Sequence, residues 1–105
     1  MDLNLVAQLA QSDHIAFKRH TLLRMHQRVI SADEVKEALS KPVLVEDYPD
    51  DNPLPSVLVL GYTLKGRPIH AVIAMEEKEP LVWVITVYEP AVDQWEKDFL
   101  KRKKP

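Results

Sequence analysis

Cysteine is absent from the 105 residues, which excludes a disulfide framework, a thiolate nucleophile and any cysteine-based zinc site. Glycine occurs twice, at Gly61 and Gly66, too few for a glycine-rich phosphate-cradling loop. No stretch approaches the roughly 20 apolar residues needed to cross a bilayer. Residues 1–8 lack both a basic start and a long apolar run, so no signal peptide is expected. The cytoplasm is the expected location, in keeping with the missing cysteine pairs.

What is present suits one small globular domain: 46% apolar and 29% charged residues fall within ordinary composition. The expected organisation is a single domain over 1–105 with its core in 13–100. Residues 1–12 would be an arm or short helix, and 101–105 a frayed basic tail. A net charge of −2 conceals an asymmetry. Residues 1–30 carry four bases against two acids, and residues 97–105 carry five bases against one acid. The stretch between carries thirteen acids against five bases. A basic helix on an acidic body permits a phosphate-bearing partner at one place and argues against a general nucleic-acid coat.

Ser12 or Asp13 can cap a long helix running to about Val29, with Ile15, Leu22, Met25 and Val29 as its core side. Ser31-Ala32-Asp33-Glu34 has the form of a capping box and opens a second helix, which stops before Pro42. Val43 to Tyr48 reads as a strand, and 49–55 as a stiff acidic loop. Three further strands are predicted over 57–64, 67–75 and 81–88, the first two joined by a Lys65-Gly66 turn. Pro90 would start a short C-terminal helix through Trp95 and Phe99. The fold class is therefore α+β: two N-terminal helices packed on a mostly antiparallel sheet of about four strands, with a short C-terminal helix.

Two constellations carry chemistry. His20, Arg24 and Arg28 recur every fourth residue and form one stripe of an imidazole and two guanidiniums on the long helix. Such a stripe can hold phosphate and move protons; a solvated basic face has the same periodicity. A turn centred on Lys65-Gly66 would pair Gly61 with His70, and one near Lys78 would put His70 opposite Thr86, with Tyr88 diagonal to it. A histidine beside two hydroxyls can orient and protonate a ribose-phosphate; a core histidine bonded across a sheet is the plainer alternative. Lys65 and Arg67 flank the hairpin tip, within reach of backbone phosphates, or simply solubilise it. His14, His26 and the acids at 46–51 show no metal-ligand spacing, so no metal or other cofactor is expected.

The blocks His20-x-x-x-Arg24-Met25-x-x-Arg28-Val29-Ile30-Ser31-x-x-Glu34-Val35, Val45-Glu46-Asp47-Tyr48-Pro49, Leu58-Val59-Leu60-Gly61, Arg67-Pro68-Ile69-His70-Ala71-Val72 and Ile85-Thr86-Val87-Tyr88-Glu89-Pro90 occur in order over roughly residues 14–96. Together they resemble the bacterial family known as domain of unknown function 4258. The family pattern usually has His-Ala at His20-Thr21 and Arg-Gly-Ile at Arg28-Val29-Ile30. The resemblance implies a fold similar to the RelE, barnase and colicin-like ribonuclease superfamily, many of whose members are toxins encoded beside an antitoxin. It also implies that His20, Arg24, Arg28, His70, Thr86 and Tyr88 line a concave sheet face under the first long helix. The function expected is a metal-independent endoribonuclease of toxin–antitoxin type, cleaving RNA by 2′-hydroxyl attack, with an antitoxin protein as partner. The alternative is a non-catalytic module that binds RNA or protein on the same scaffold.

Overall fold

The computed structural model describes residues 1–104. Three helices and five strands follow in the order α1 (Leu3–Gln11), β1 (Ile15–Phe17), α2 (Arg19–Gln27), α3 (Ala32–Leu39), β2 (Val43–Tyr48), β3 (Ser56–Tyr62), β4 (Pro68–Glu76) and β5 (Leu81–Tyr88). The strands form one mixed sheet, β1-β5-β4-β3-β2, antiparallel except for the parallel β1–β5 pair. The class is α+β, as the periodicity indicates.

Its parts differ from expectation in instructive ways. The long helix expected from residue 13 is interrupted, because Ile15-Ala16-Phe17 pairs with Val82, Trp83 and Val84 as a fifth strand. Helix α2 therefore starts at Arg19, and its inward side is Thr21 and Met25. Leu22 and Val29, assigned above to the core side, are exposed. The N-terminal residues form a true helix, with the Asp2 carboxylate accepting from the Asn4 and Leu5 amides.

The capping box of α3 forms as the sequence implies: the Glu34 amide donates to Ser31 Oγ at 3.1 Å, and the Ser31 amide to Glu34 Oε1 at 3.0 Å. Helices α1 and α2 both end with a residue in the left-handed region, Asp13 (φ 62°) and Val29 (φ 55°). Each is followed by the bond pattern of a Schellman cap, His14 N to Leu9 O and Ile30 N to Met25 O.

One sheet face packs against the helices. Val57, Val59, Ile69, Ala71, Ile73, Val82, Val84 and Val87 meet Val6, Leu9, Met25, Val35 and Leu39 in a single core. Gly61 belongs to this face: a β-carbon there would lie 1.9 Å from the Ala38 carbonyl oxygen, so α3 sits directly on the strand backbone.

The part of the opposite face around His70 is covered by the segment after β5, which forms a strap and not a helix. Glu96 N bonds Lys101 O, Lys103 N bonds Gln94 O, and Trp95 bridges Arg102. Helix formation is diverted because the Asp98 carboxylate takes the Leu100 amide and Phe99 adopts φ 60°. Residues 101–103 are thereby bonded into the fold, where a frayed tail was expected; residue 105, the last of that tail, lies outside the described residues.

Candidate functional site at the open edge of β5

Strand β1 pairs with β5 only as far as Val84, which leaves the outer carbonyls of the rest of β5 without a strand partner. Helix α2 takes that place. Thr21 Oγ1 donates to the Ile85 carbonyl at 2.9 Å, and Arg28 Nη1 donates to the Val87 carbonyl at 2.7 Å. The same two bonds satisfy the sheet edge and fix the rotation of the helix, so His20 and Arg24 project into solvent. From Lys18 to Arg28 the chain holds four Lys/Arg and two His with no acid. Among the described residues no carboxylate forms an ion pair with His20, Arg24 or Arg28.

The sheet register differs from the expected one. Gly66 takes φ 85° after a turn whose central residues are Leu64 and Lys65, closed by Gly66 N to Thr63 O at 2.9 Å. A glycine in this left-handed slot shifts the hairpin by one residue. His70 therefore stands opposite Leu60, and Gly61 opposite Ile69. On its other side His70 faces Tyr88 directly, and Thr86 pairs with Val72, because the turn pairs Glu76 with Leu81, one residue beyond the expected register, and a bulge at Ile85 adds a second residue to β5. His70, Thr86 and Tyr88 still share one sheet face, since positions 70 and 72 point the same way.

That face is opposite the helices, and His70 is fully buried in it beneath the strap. Its Nε2 lies 2.8 Å from the Phe99 carbonyl and its Nδ1 3.2 Å from the Tyr88 hydroxyl. The Trp95 ring meets it edge-on at 4.4 Å. A carbonyl can only accept, so Nε2 carries the hydrogen. Burial pushes the imidazole below its ordinary value, outweighing the opposing Phe99 carbonyl, so the ring is neutral. Nδ1 is then a bare acceptor, and Tyr88 donates its hydroxyl proton to it. The result is a relay from Tyr88 through His70 to a backbone carbonyl.

Tyr88 is the half-buried outer end of this relay. Burial raises its phenol above the ordinary value, while the Arg102 and Arg28 charges act against that rise. His70 therefore does not share a solvent hollow with the α2 stripe, as the sequence reading requires. It reaches the surface through Tyr88, which lies within the electrostatic range of Arg28.

The strap is pinned by a cluster absent from the sequence reading. Arg102 donates to both Glu46 carboxylate oxygens at 2.8 and 3.0 Å, and its guanidinium lies 4.6 Å over the Trp95 ring. Tyr48 donates to the same carboxylate. The Arg102 bonds, with Tyr48 second, hold the Glu46 carboxyl at about 2. No sequence spacing links positions 46, 48, 95 and 102, so only the folded chain reveals them as a unit.

Arg67, expected to bind substrate, has its guanidinium occupied. It donates to the Val29 carbonyl (2.7 Å), the Arg28 carbonyl (3.3 Å), Glu34 (3.1 Å) and Glu89 (2.6 Å). It ties the α2–α3 joint to the sheet, and its departure from the expected role follows from those four bonds. Lys65 is exposed at the hairpin tip, away from these contacts. Among the described residues no group of three or more His, Asp or Glu side chains is arranged to hold a metal ion, and no helix is long and apolar enough to cross a membrane.

The family model described as domain of unknown function (DUF4258) matches residues 17–89, from the end of β1 to the residue after β5. No curated protein and no solved structure matches the chain.

Proposed function

The chain belongs to the DUF4258 family, and from that premise we propose that it binds RNA along α2 and cleaves it as a metal-independent endoribonuclease of toxin–antitoxin type. One observation carries the reading: an acid-free basic helix end, at Arg28, is bonded to the strand edge beside the outer end of a Tyr88–His70 proton relay. The fold similarity to the RelE, barnase and colicin-like superfamily that membership of this family implies supports it by analogy.

In this mechanism Arg28 and Arg24 hold the scissile phosphate and stabilise the charge that grows on its oxygens. The 2′-hydroxyl gives its proton to the Tyr88 oxygen as Tyr88 passes its own to His70 Nδ1. The 2′-oxygen bonds to phosphorus, the P–O5′ bond breaks, the 5′-oxygen takes a proton from water, and the hydroxide so formed regains one from His70 through Tyr88, leaving a cyclic phosphate and the neutral relay. The Phe99 carbonyl and the Glu46 charge stabilise the transient imidazolium. Thr86 positions the nucleotide on the same sheet face. His20, eight residues from Arg28 and so about 12 Å along the helix, holds a neighbouring phosphate.

A second reading, binding of RNA or of a protein partner without turnover, draws support from the complete burial of His70 under the strap. Induced expression with RNA integrity followed by electrophoresis separates the two. The cleavage reading expects growth arrest and cut RNA with the parent, and neither with Tyr88→Phe, which keeps the ring and removes the relay. Intact RNA with the parent, despite measurable RNA affinity, would leave the binding reading in its place.

A further inference from the structure

Trp83 and Ala74 are register partners on the strap-side face of the sheet, beyond the part that the strap covers. The small Ala74 side chain leaves a hollow of about 340 Å³ between Trp83 and the loop residues Pro53 and Leu54, with Lys18 and Glu76 at its rim. That volume lies in the range of small-ligand pockets, about 300–1,000 Å³.

We infer that this hollow holds a nucleobase of a single-stranded RNA, stacked on the Trp83 ring; the inference rests on the RNA reading above and extends it by a second subsite. Three features favour a base over an apolar side chain. The indole is fixed as a platform, its Nε1–H donating to Glu76 at 3.2 Å. The rim carries a carboxylate able to accept from a base edge, and the ammonium of Lys18, which lies over the ring 5.7 Å from its centre, would yield that place to the base and meet its phosphate. Lys18 also begins the acid-free basic series that continues through Arg19, His20, Arg24 and Arg28, so a base in the hollow would have its phosphates beside α2. Trp83, Thr86 and Tyr88 lie along one strand face, and five residues of strand place the hollow about 15 Å from Tyr88. The base it takes is therefore not adjacent to the scissile bond, and it sets a preference at a distance from the cut.

Because Trp95 is buried and Trp83 half-exposed, emission quenching by an added oligonucleotide reports on Trp83. The full-length protein is titrated with a 12-nucleotide single-stranded RNA and with a strand of the same length lacking bases at its central positions. Affinity is read in parallel from the anisotropy of a label on the RNA. The expected result is quenching by the intact strand and not by the abasic one, with affinity falling about tenfold for Trp83→Leu. Leu54→Ala, on the loop wall and outside the core, is expected to weaken binding in the same direction and keeps the test open if Trp83→Leu misfolds. Equal affinity of the parent for both strands, without quenching, would overturn the inference and leave the RNA reading standing. Quenching by an apolar peptide and not by RNA would overturn it in favour of a protein partner. Failure of the parent to bind RNA at all would overturn both.

Discussion

Replacing His70 by alanine tests the position of that residue in the fold. The change removes the donor to the Phe99 carbonyl and the acceptor of the Tyr88 hydroxyl, and it opens a void under the Trp95 ring. The Phe99 carbonyl left without its donor costs about 1–3 kcal/mol; the half-buried Tyr88 hydroxyl can turn to water, and with the void the loss comes to about 2–4 kcal/mol. Domains of this size are stable by about 5–15 kcal/mol, so the variant should lose a large share of its stability. Urea unfolding followed by tryptophan emission reads the loss as a lower midpoint, and hydrogen exchange should show early opening of residues 89–104. His70→Gln keeps an N–H donor near the Phe99 carbonyl and should recover part of the loss. An alanine variant with an unchanged midpoint and a protected strap would show instead that His70 bears no weight in the interior.

Four further outcomes follow from single contacts. Gly61→Ala places a methyl group on the Ala38 carbonyl; it should destabilise by at least about 1–3 kcal/mol, seen as a lower thermal midpoint. Val29→Gly should stabilise by about 1 kcal/mol, since an exposed β-branched residue holds φ 55°; equal or lower stability would contradict this. Arg67→Ala severs four bonds at the α2–α3 joint and should loosen Arg28 and Glu34, visible as faster amide exchange over residues 28–34. The fourth outcome concerns pH. The His70 imidazole is held below 6.5 in the fold, so the unfolded chain protonates first and stability should begin to fall below pH 6.5. Glu46 is held at about 2 against 4.5, so its contribution is complete above pH 4.5 and is lost as pH falls towards 2. That displacement is worth at most about 3 kcal/mol, reduced to about 1–2 kcal/mol by the solvent screening of half-exposed Arg102. Denaturation midpoints across pH 2–8 check both windows.

The class of fold and most of its elements are legible in the chain because they rest on strong local patterns. The Ser31–Glu34 capping box and the β-branched runs of β3 and β5 each declare themselves within a few residues. Strand β1 does not, because three residues carry no period and gain their identity from pairing with β5. The strap reads as a helix for a similar reason: Val92, Trp95 and Phe99 have helical spacing, yet the burial of Trp95 against His70 and the local bond of Asp98 prevail. The Lys65-Gly66 turn reads one residue out, since sequence alone does not say which slot of the turn the glycine fills. That slip replaces Gly61 by Leu60 opposite His70, while the one-residue shift at the turn after Glu76 and the bulge at Ile85 change its β5 partner from Thr86 to Tyr88. The α2 stripe is fully visible in sequence. The depth of His70, the bonds of Arg67 and the Glu46–Arg102 lock depend on tertiary contacts across 22 to 56 residues, and no spacing rule reaches that far.

RNA phosphates held by the α2 stripe would release counterions on binding, so affinity must depend on salt. Affinity for a labelled single-stranded RNA, measured by anisotropy over a range of salt, should fall along a straight line in log–log form, steepened by about 0.7 for each phosphate contact. The Arg24→Ala, Arg28→Ala double variant should bind more weakly, with a slope shallower by about 1.4. Identical affinity and slope in parent and variant, or no salt dependence in either, would contradict the account.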